Sequence, residues 1–364
     1  MLSYKTIVVK IGSNVLTRSD GLPDMDRMSE LAQQIHRLEE TGIKTVLVSS
    51  GAVAFGRSLN LNVDTKNSLA ARQVWAATGQ VKLVQAWQEQ WEPLGMMCAQ
   101  VMVTREDFRS RRHYLNMRQC IHHLLGHGVI PVVNENDVVA VTELMFTDND
   151  ELAGLIAAMT EADALIILTN VDGIYDRPPN DDGARLIQEI EPSEFKPGEF
   201  IGSEKSSFGR GGMITKASMA RKTAGLGISV HIANGLRDNI LVDIINENVD
   251  HTVFAAKDFK RNRKKWIAHS GTFSNGKVVI NQGAIQALNS DKATSLLPVG
   301  IVDVISEFRK GDIIKIVSEE GNIIGWGKAE YSSEKTRKRL GLQKQKVLVH
   351  YDYLFIEEGG SILE

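Results

Sequence analysis

Residues 131–176 read PVVNENDVVAVTELMFTDNDELAGLIAAMTEADALIILTNVDGIYD, and this stretch decides the fold. It opens inside the apolar run Val129-Ile130-Pro131-Val132-Val133, the pattern of a strand covered on both faces, which stops at Asn134-Glu135-Asn136-Asp137. It closes on a second such run, Ala164 to Leu168, which exits into Thr169-Asn170-Val171-Asp172-Gly173. Between them Leu152, Leu155, Ile156 and Met159 recur at spacings of three and four, one face of a helix. Polar residues therefore gather at strand carboxyl ends, where open α/β sheets bind ligands. Thr147-Asp148-Asn149-Asp150-Glu151 stands directly before the helix. Asp148 with Glu151 three positions on fits a helix cap. One cap needs one side chain, however, and two aspartates and an asparagine crowd this turn, so the cluster is read as functional.

Outward from this stretch, the chain alternates strands and helices. Thr6 to Ile11 is a strand that runs into Gly12-Ser13-Asn14, a small-residue turn able to present backbone N–H groups, with Lys10 at its carboxyl end. Met28 to Leu38 has helical periodicity and ends near Gly42. Lys44 to Val48 forms the next strand and exits tightly through Ser49-Ser50-Gly51-Ala52. Two such units imply a βαβ sheet. Leu69 to Leu94 is expected to be helical with a break near Gly79, its tryptophans Trp75, Trp87 and Trp91 serving core or subunit contacts. Ala99 to Val103 is a further strand, and the arginines between Arg105 and Arg118 suit a solvated helix face better than an anion clamp. His122, His123 and His127 lack an acidic or cysteine partner at ligand spacing, which favours a helix surface over a metal site. Gly209-Arg210-Gly211-Gly212-Met213-Ile214-Thr215-Lys216 opens a helix running to Ala224, and glycines at a helix start make an anion site. No Walker A pattern occurs. The polar residues 196–208 before it suit a loop over the site.

Composition bounds the reading. The 364 residues exceed one ordinary core, so two domains are expected: a catalytic unit over 1–258, a basic linker over 259–274 and a smaller unit over 275–364. The net charge of -3 argues against a protein that coats nucleic acid or a membrane surface. Two cysteines, Cys98 and Cys120, suit reduced thiols. Met1 leads straight into a strand without a secretory pattern, and no apolar run nears the roughly 20 residues that cross a bilayer. A cytoplasmic protein is expected.

At Lys10, Ser50, Asn134 to Asp137, Asp148 to Asp150, Thr169 and Gly211 to Lys216, the pieces together resemble the amino-acid kinase family, and within it the branch that phosphorylates the side-chain carboxylate of glutamate in proline synthesis. VVKIGSNVLT, VSSGAVAFGR, PVVNENDVVA, DNDELAGLIAA, GRGGMITK and NRKKWI fall in that family's order across nearly the whole chain. The resemblance implies a three-layer αβα fold on a mainly parallel sheet, with ATP and Mg2+ as cofactors. It implies that Lys10 and Lys216 stabilise the transferring phosphoryl group while Asp148 orients both. Ser50, Asn134, Asp137 and Asn149 match glutamate-binding positions, and Asp150 serves substrate or the magnesium shell. Lys10, Gly12, Ser13, Thr169, Asn170, Arg210, Gly211, Gly212, Met213, Ile214, Thr215 and Lys216 match nucleotide-binding ones. Arg210, where a small residue is common, and Thr147, where glycine can occur, depart from the pattern. A homo-oligomer (dimer or tetramer), proline as feedback inhibitor and a reductase that accepts the acyl phosphate are further implications.

The residue types suit that reaction on chemical grounds. A glutamate side chain ionises near about pH 4.3, so at neutral pH the nucleophile needs no general base. The task is to bring two anions together and neutralise charge as the phosphoryl group moves. Lysines, glycine-loop amides and a metal ion serve that end.

After the basic stretch Lys257 to Lys265 the pattern changes to short strands: Lys277 to Ile280, Gly300 to Val304, Asp312 to Val317 and Ile323 to Gly325. GKVVINQGAIQAL, SLLPVGI and FRKGDIIKIV resemble a PUA domain, a small β-rich barrel. Lys335, Arg337, Lys338, Arg339, Lys344 and Lys346 add positive charge, but few stacking aromatics accompany them, which leaves RNA recognition unsupported and an architectural or regulatory role preferred. Two alternatives stay open: a sibling kinase acting on aspartate, acetylglutamate, carbamate or a nucleotide, and a PUA-led RNA-binding protein.

Overall fold

The computed structural model describes residues 2–62, 68–109, 111–139, 146, 148–179, 181–192, 212–256, 274, 276–289 and 294–356. Two compact units emerge, Met1–Thr104 with Arg118–Phe259, and Arg105–Met117 with Lys260–Glu364.

Through the first part of the chain the elements run β1 (Thr6–Ile11), α1 (Ser13–Leu16), α2 (Met25–Glu40), β2 (Lys44–Ser49), α3 (Ala52–Ser58), α4 (Ser68–Trp91), β3 (Met97–Val103), α5 (Arg105–Arg109), α6 (Arg111–Gly126), β4 (Val129–Glu135), α7 (Asn149–Thr160), β5 (Ala164–Thr169), β6 (Glu189–Ile190), α8 (Met213–Ala224), β7 (Ser229–Asn234), α9 (Ile240–Asn246) and β8 (Thr252–Phe254). The strands form one sheet in the order β3-β4-β2-β1-β5-β7-β8-β6, parallel from β3 to β7, with β8 antiparallel to β7. This is an α/β architecture with helices on both faces, as the buried apolar strands require.

Strand alternation sorts the two faces. Ile7, Val9 and Ile11 of β1 join Leu47, Ile166 and Leu168 in a core shared with α2, α4 and α9, where Trp87 and Trp91 stack at 5.1 Å between ring centroids and are fully buried. Val8 and Lys10 point to the opposite face, on which α7 packs against β1, β2, β4 and β5 and also meets α8. Gly154 permits that last contact, because a Cβ there would stand 2.8 Å from Met219 Sδ and from Thr223 Oγ1. One turn before this crossing lie Asp150 and Lys216.

The expected break at Gly79 does not occur: α4 is continuous from Ser68 to Trp91. The glycine instead serves a close helix crossing. A Cβ at Gly79 would stand 1.8 Å from Ala52 O, and one at Gly56 2.0 Å from Trp75 O, so α3 and α4 touch backbone to backbone. Helical glycine costs about 1 kcal/mol relative to alanine, which contact of this kind offsets.

In the second unit β9 (Gly276–Ile280), α10 (Gln282–Leu288), β10 (Ile301–Ser306), β11 (Ile313–Val317), β12 (Ile323–Ala329), α11 (Ser333–Arg337) and β13 (Val349–Ile356) build a sheet ordered β10-β9-β11-β12-β13. Only the β9/β11 pair is parallel. Val278, Ile280, Ile314, Ile316 and Leu354 centre its own core. β13 is not among the short strands expected above, although Val349, Tyr351, Tyr353 and Phe355 alternate with His350 and Asp352 in the period of a strand. Among the described residues no helix is long and apolar enough to cross a membrane.

Candidate active site

Parallel register brings the polar strand exits side by side. Lys10 pairs with Val48 and Ile167, so the carboxyl ends of β2, β1 and β5 finish on one edge of the sheet. The turns are held to that edge: Ser50 N–H donates to Ile11 O at 3.2 Å and Gly12 N–H to Leu168 O at 3.2 Å. The backbone packs closely at Gly12, where a Cβ would stand 3.2 Å from Leu168 O, a tight approach, and 3.7 Å from Lys10 Nζ, an ordinary contact. Gly51 caps α3 at φ +108°, a left-handed conformation that favours glycine.

These turns, the start of α7 and one residue of α8 enclose a cavity of about 810 Å³. Its charged end holds Lys10, Asp148, Asp150 and Lys216, and its neutral wall Ser50, Asn134 and Asn149, with Asp137 further along. Gly12, Ser13, Thr169 and Asn170 also line it. Gly212 stands at the N-cap of α8 and Met213, Ile214 and Thr215 form its first turn, but none of these four lines the cavity. Arg210, Gly211, Thr147, residues 196–208 and the basic stretch 257–265 lie outside the described residues.

The charged end corrects the reading of the acidic cluster. Asp150, not Asp148, holds both ammonium groups: Lys10 Nζ lies 2.5 Å from Asp150 Oδ1 and Lys216 Nζ 3.1 Å from Asp150 Oδ2. Asp148 is the N-cap of α7, its Oδ1 accepting from the N–H groups of Asp150 at 3.0 Å and Glu151 at 3.1 Å. The physical reason is helix rotation. Asp148, extended at the N-cap, spends Oδ1 on the first-turn N–H groups, whereas Asp150 stands inside that turn, rotated toward Lys10 and Lys216.

The electrostatics separate the two aspartates further. Asp150 is fully buried, which opposes ionisation, but Lys10 and Lys216 outweigh that cost and hold its carboxyl below the usual carboxylate range. Asp148 is pushed up to about 6, first by burial and then by the neighbouring Asp150 charge. Its Oδ2 is buried without a hydrogen-bond partner among the described residues.

The neutral wall is a hydrogen-bonded chain. Asn149 Nδ2 donates to Ser50 Oγ at 2.9 Å and to Asn134 Oδ1 at 3.1 Å, and Asn134 Nδ2 donates to Gln80 Oε1 at 2.9 Å. Behind Ser50, Trp87 Nε1 donates to Ser49 Oγ at 3.0 Å, which donates in turn to Ser50 O at 3.1 Å. Asp137 pairs with Arg72 Nη2 at 3.1 Å, and Arg57 stacks over Trp75 at 4.9 Å. The sequence does not single out Arg72, Gln80 or Arg57. They sit on α3 and α4 as scattered polar residues in helices, and no spacing marks which of them turn toward the sheet.

Among the described residues no group of three or more His, Cys, Asp or Glu side chains is placed to hold a metal ion by itself. The orphaned Asp148 oxygen does suit a cation whose other ligands are phosphate oxygens and water, the way Mg2+ is held beside a nucleotide.

The amino acid kinase family matches residues 5–234, and the PUA domain matches residues 276–351. A glutamate 5-kinase of Bacteroides thetaiotaomicron is 49% identical over 358 residues, covering 97% of this chain and 99% of the relative. One of Chlorobaculum tepidum is 47% identical over 354 residues, covering 97% and 98%. Carbamate kinase from Giardia lamblia bound to AMP-PNP shares the fold, with a TM-score of 0.51 at 19% identity over 70% of this chain and 99% of its own.

Proposed function

The chain belongs to the amino acid kinase family, and on that premise we propose that it transfers the γ-phosphoryl group of ATP to the side-chain carboxylate of L-glutamate, forming glutamyl 5-phosphate for proline synthesis. The observation that carries the reading is the pair of lysines, remote in sequence, drawn onto Asp150 inside the cavity. The acceptor carboxylate is already an anion, so nothing in the site needs to remove a proton. Lys10 and Lys216 offset the charge on the equatorial oxygens of the phosphoryl group in transit. Asp150 fixes where both ammonium groups stand before substrate arrives, which avoids reorganisation during the reaction. Mg2+, carried with ATP and met by Asp148 Oδ2, would neutralise phosphate charge.

Along the neutral wall, Ser50, Asn134 and Asn149 bind the acceptor, and Asp137 receives its α-ammonium group. Gly12, Ser13, Thr169 and Asn170 sit on the nucleotide side, with Gly212, Met213, Ile214 and Thr215 supplying backbone at the start of α8. The acyl phosphate product hydrolyses readily in water, which suits direct uptake by a reductase. A homo-oligomer and inhibition by proline follow from the same family reading.

An acceptor survey tests the proposal. Purified protein with ATP, Mg2+ and hydroxylamine is expected to give hydroxamate with glutamate. Turnover with aspartate, acetylglutamate or carbamate, and none with glutamate, would move the assignment to a sibling reaction.

A further inference from the structure

One backbone amide sets the polarity of the neutral wall. Glu135 N–H donates to the Asn134 side chain at 2.9 Å, and an N–H donor demands an acceptor, so that atom is Oδ1 and the amide cannot be reversed. Asn134 Nδ2 therefore faces α4 and needs an acceptor of its own, which Gln80 Oε1 supplies. Asn149 must in turn present Nδ2 to Asn134 Oδ1, and the second proton of the same nitrogen goes to Ser50 Oγ. A hydroxyl that already accepts from Asn149 keeps its own proton to donate. Ser50, Asn134 and Asn149 line the cavity, whereas Gln80 stands behind them, 5% exposed. Its Nε2 is buried with no hydrogen-bond partner among the described residues, a cost that marks the Oε1 contact as the one the fold retains. The adjacent Gly79 brings Gln80 to this depth by letting α4 rest on α3.

We infer that Gln80 is a positioning residue for the acceptor: through Asn134 and Asn149 it keeps the Ser50 hydroxyl as a donor aimed at a carboxylate oxygen. The Glu135 contact is a single hydrogen bond from the adjoining peptide and is lost when the Asn134 side chain turns, whereas Gln80 ties the amide to a separate helix. Without that tie Nδ2 is a buried donor lacking an acceptor. Asn134 then turns toward the cavity in search of one, and the order of donors is lost. A carboxylate accepts the Ser50 proton through either oxygen, whereas a carboxamide can do so only through its carbonyl oxygen, with its NH2 turned away. The wall thus favours a carboxylic acid over its amide. This inference deepens the glutamate reading and rests on it.

The test is steady-state kinetics on Gln80→Met and Gln80→Glu, alone and with Ser50→Ala, with circular dichroism and thermal melting to check folding. Methionine matches the volume of glutamine but offers Asn134 only a weak sulfur acceptor. Its expected effect is a rise in glutamate KM of about tenfold, the scale of a hydrogen bond to a charged group, with ATP KM and kcat within about twofold. Buried glutamic acid is held neutral and still offers an acceptor oxygen, so Gln80→Glu should stay within about threefold of the parent. In the Ser50→Ala background Gln80→Met should add only about threefold, because the Ser50 part of its route is gone while Asn134 and Asn149 still meet the acceptor. An unchanged glutamate KM, an equal shift in ATP KM, or a full effect without the Ser50 hydroxyl would each overturn the role of Gln80. If the parent enzyme turns over a different carboxylic acid, the glutamate assignment falls instead, and the same comparison made with that acid decides Gln80.

Discussion

The two ends of the cavity solve the problem of buried polarity in opposite ways. At the charged end two ammonium groups share one fully buried carboxylate, and a second carboxylate beside it keeps an oxygen without a hydrogen-bond partner among the described residues. At the neutral wall three amides and a hydroxyl are joined by hydrogen bonds that run outward from Asn149, to Ser50 on one side and through Asn134 to Gln80 on the other, with no ion among these four side chains. Buried charge is expensive unless paired, so the first arrangement is tolerable only where moving charge later makes use of it. Neutral hydrogen bonds contribute less each, but their direction carries information about what can bind. The charged end should therefore govern rate, and the neutral wall should govern affinity for the acceptor.

The largest expected effect breaks this contrast at Asp150. Asp150→Asn keeps the volume but removes the carboxylate that both ammonium groups share, and kcat should fall by about a hundredfold to a thousandfold, read as hydroxamate formation. A fall of less than tenfold would refute the claim that this carboxylate organises the lysines.

Asp148→Asn should act differently, because asparagine still caps α7. Loss of about tenfold in kcat/KM for ATP is expected, the scale of a contact with a charged group. With its carboxyl pushed up to about 6, Asp148 should also impose an acid limb on that parameter, activity declining as pH drops through about 6. An Asp148→Asn variant that retained the limb would place the titrating group elsewhere.

At the neutral wall, and at Asp137 further along the cavity, the expected change is in binding alone. Ser50→Ala and Asp137→Ala should each raise glutamate KM by roughly three- to tenfold while ATP KM and kcat stay near the parent values. A matching change in ATP KM would erase the division of labour.

The smallest effect concerns stability. A second neutral network joins Tyr4 Oη, donating to His231 Nε2 at 2.9 Å, to the His231–His251 pair at 2.8 Å. Burial, and secondarily His251, push His231 down to about 3. The unfolded chain binds this proton below about 6.5 and the folded chain does not, so stability is complete above 6.5 and is lost as pH falls toward 3. Asp148 works in the other direction: raised to about 6, it takes up its proton earlier in the folded state, so acidification from 6 toward its ordinary 3.8 restores stability. Each slope is at most about 1.4 kcal/mol per pH unit. Urea unfolding midpoints measured between pH 6 and 4 should therefore fall more steeply for Asp148→Asn than for the parent, and parallel lines would deny Asp148 its raised value.

Much of this molecule was legible in the chain itself, for a local reason. Apolar runs such as Thr6 to Ile11 and Ala164 to Thr169 can be satisfied only by burial on both faces, and a polar residue that ends such a run must emerge at the sheet edge. Hence Lys10, Ser50, Asn134 and Thr169 could be placed around one cavity before any coordinate was known. Short strands were harder: β6 and β8 offer two and three residues, too few for a period to show.

What only the tertiary structure decided is which of several equivalent polar groups faces which partner. Asp148 and Asp150 are two positions apart on the same turn and carry the same carboxylate, so spacing cannot say which caps the helix and which meets the lysines. The rotation of α7, set by its packing on β1 and α8, makes that choice. Gln80 and Arg72 were hidden for the same reason, since their roles depend on helix α4 crossing α3 at two glycines and not on any pattern along the chain. Sequence determines what must be buried, because burial depends on composition along a segment. Partnership between polar groups depends on angles and distances fixed only when separate segments pack.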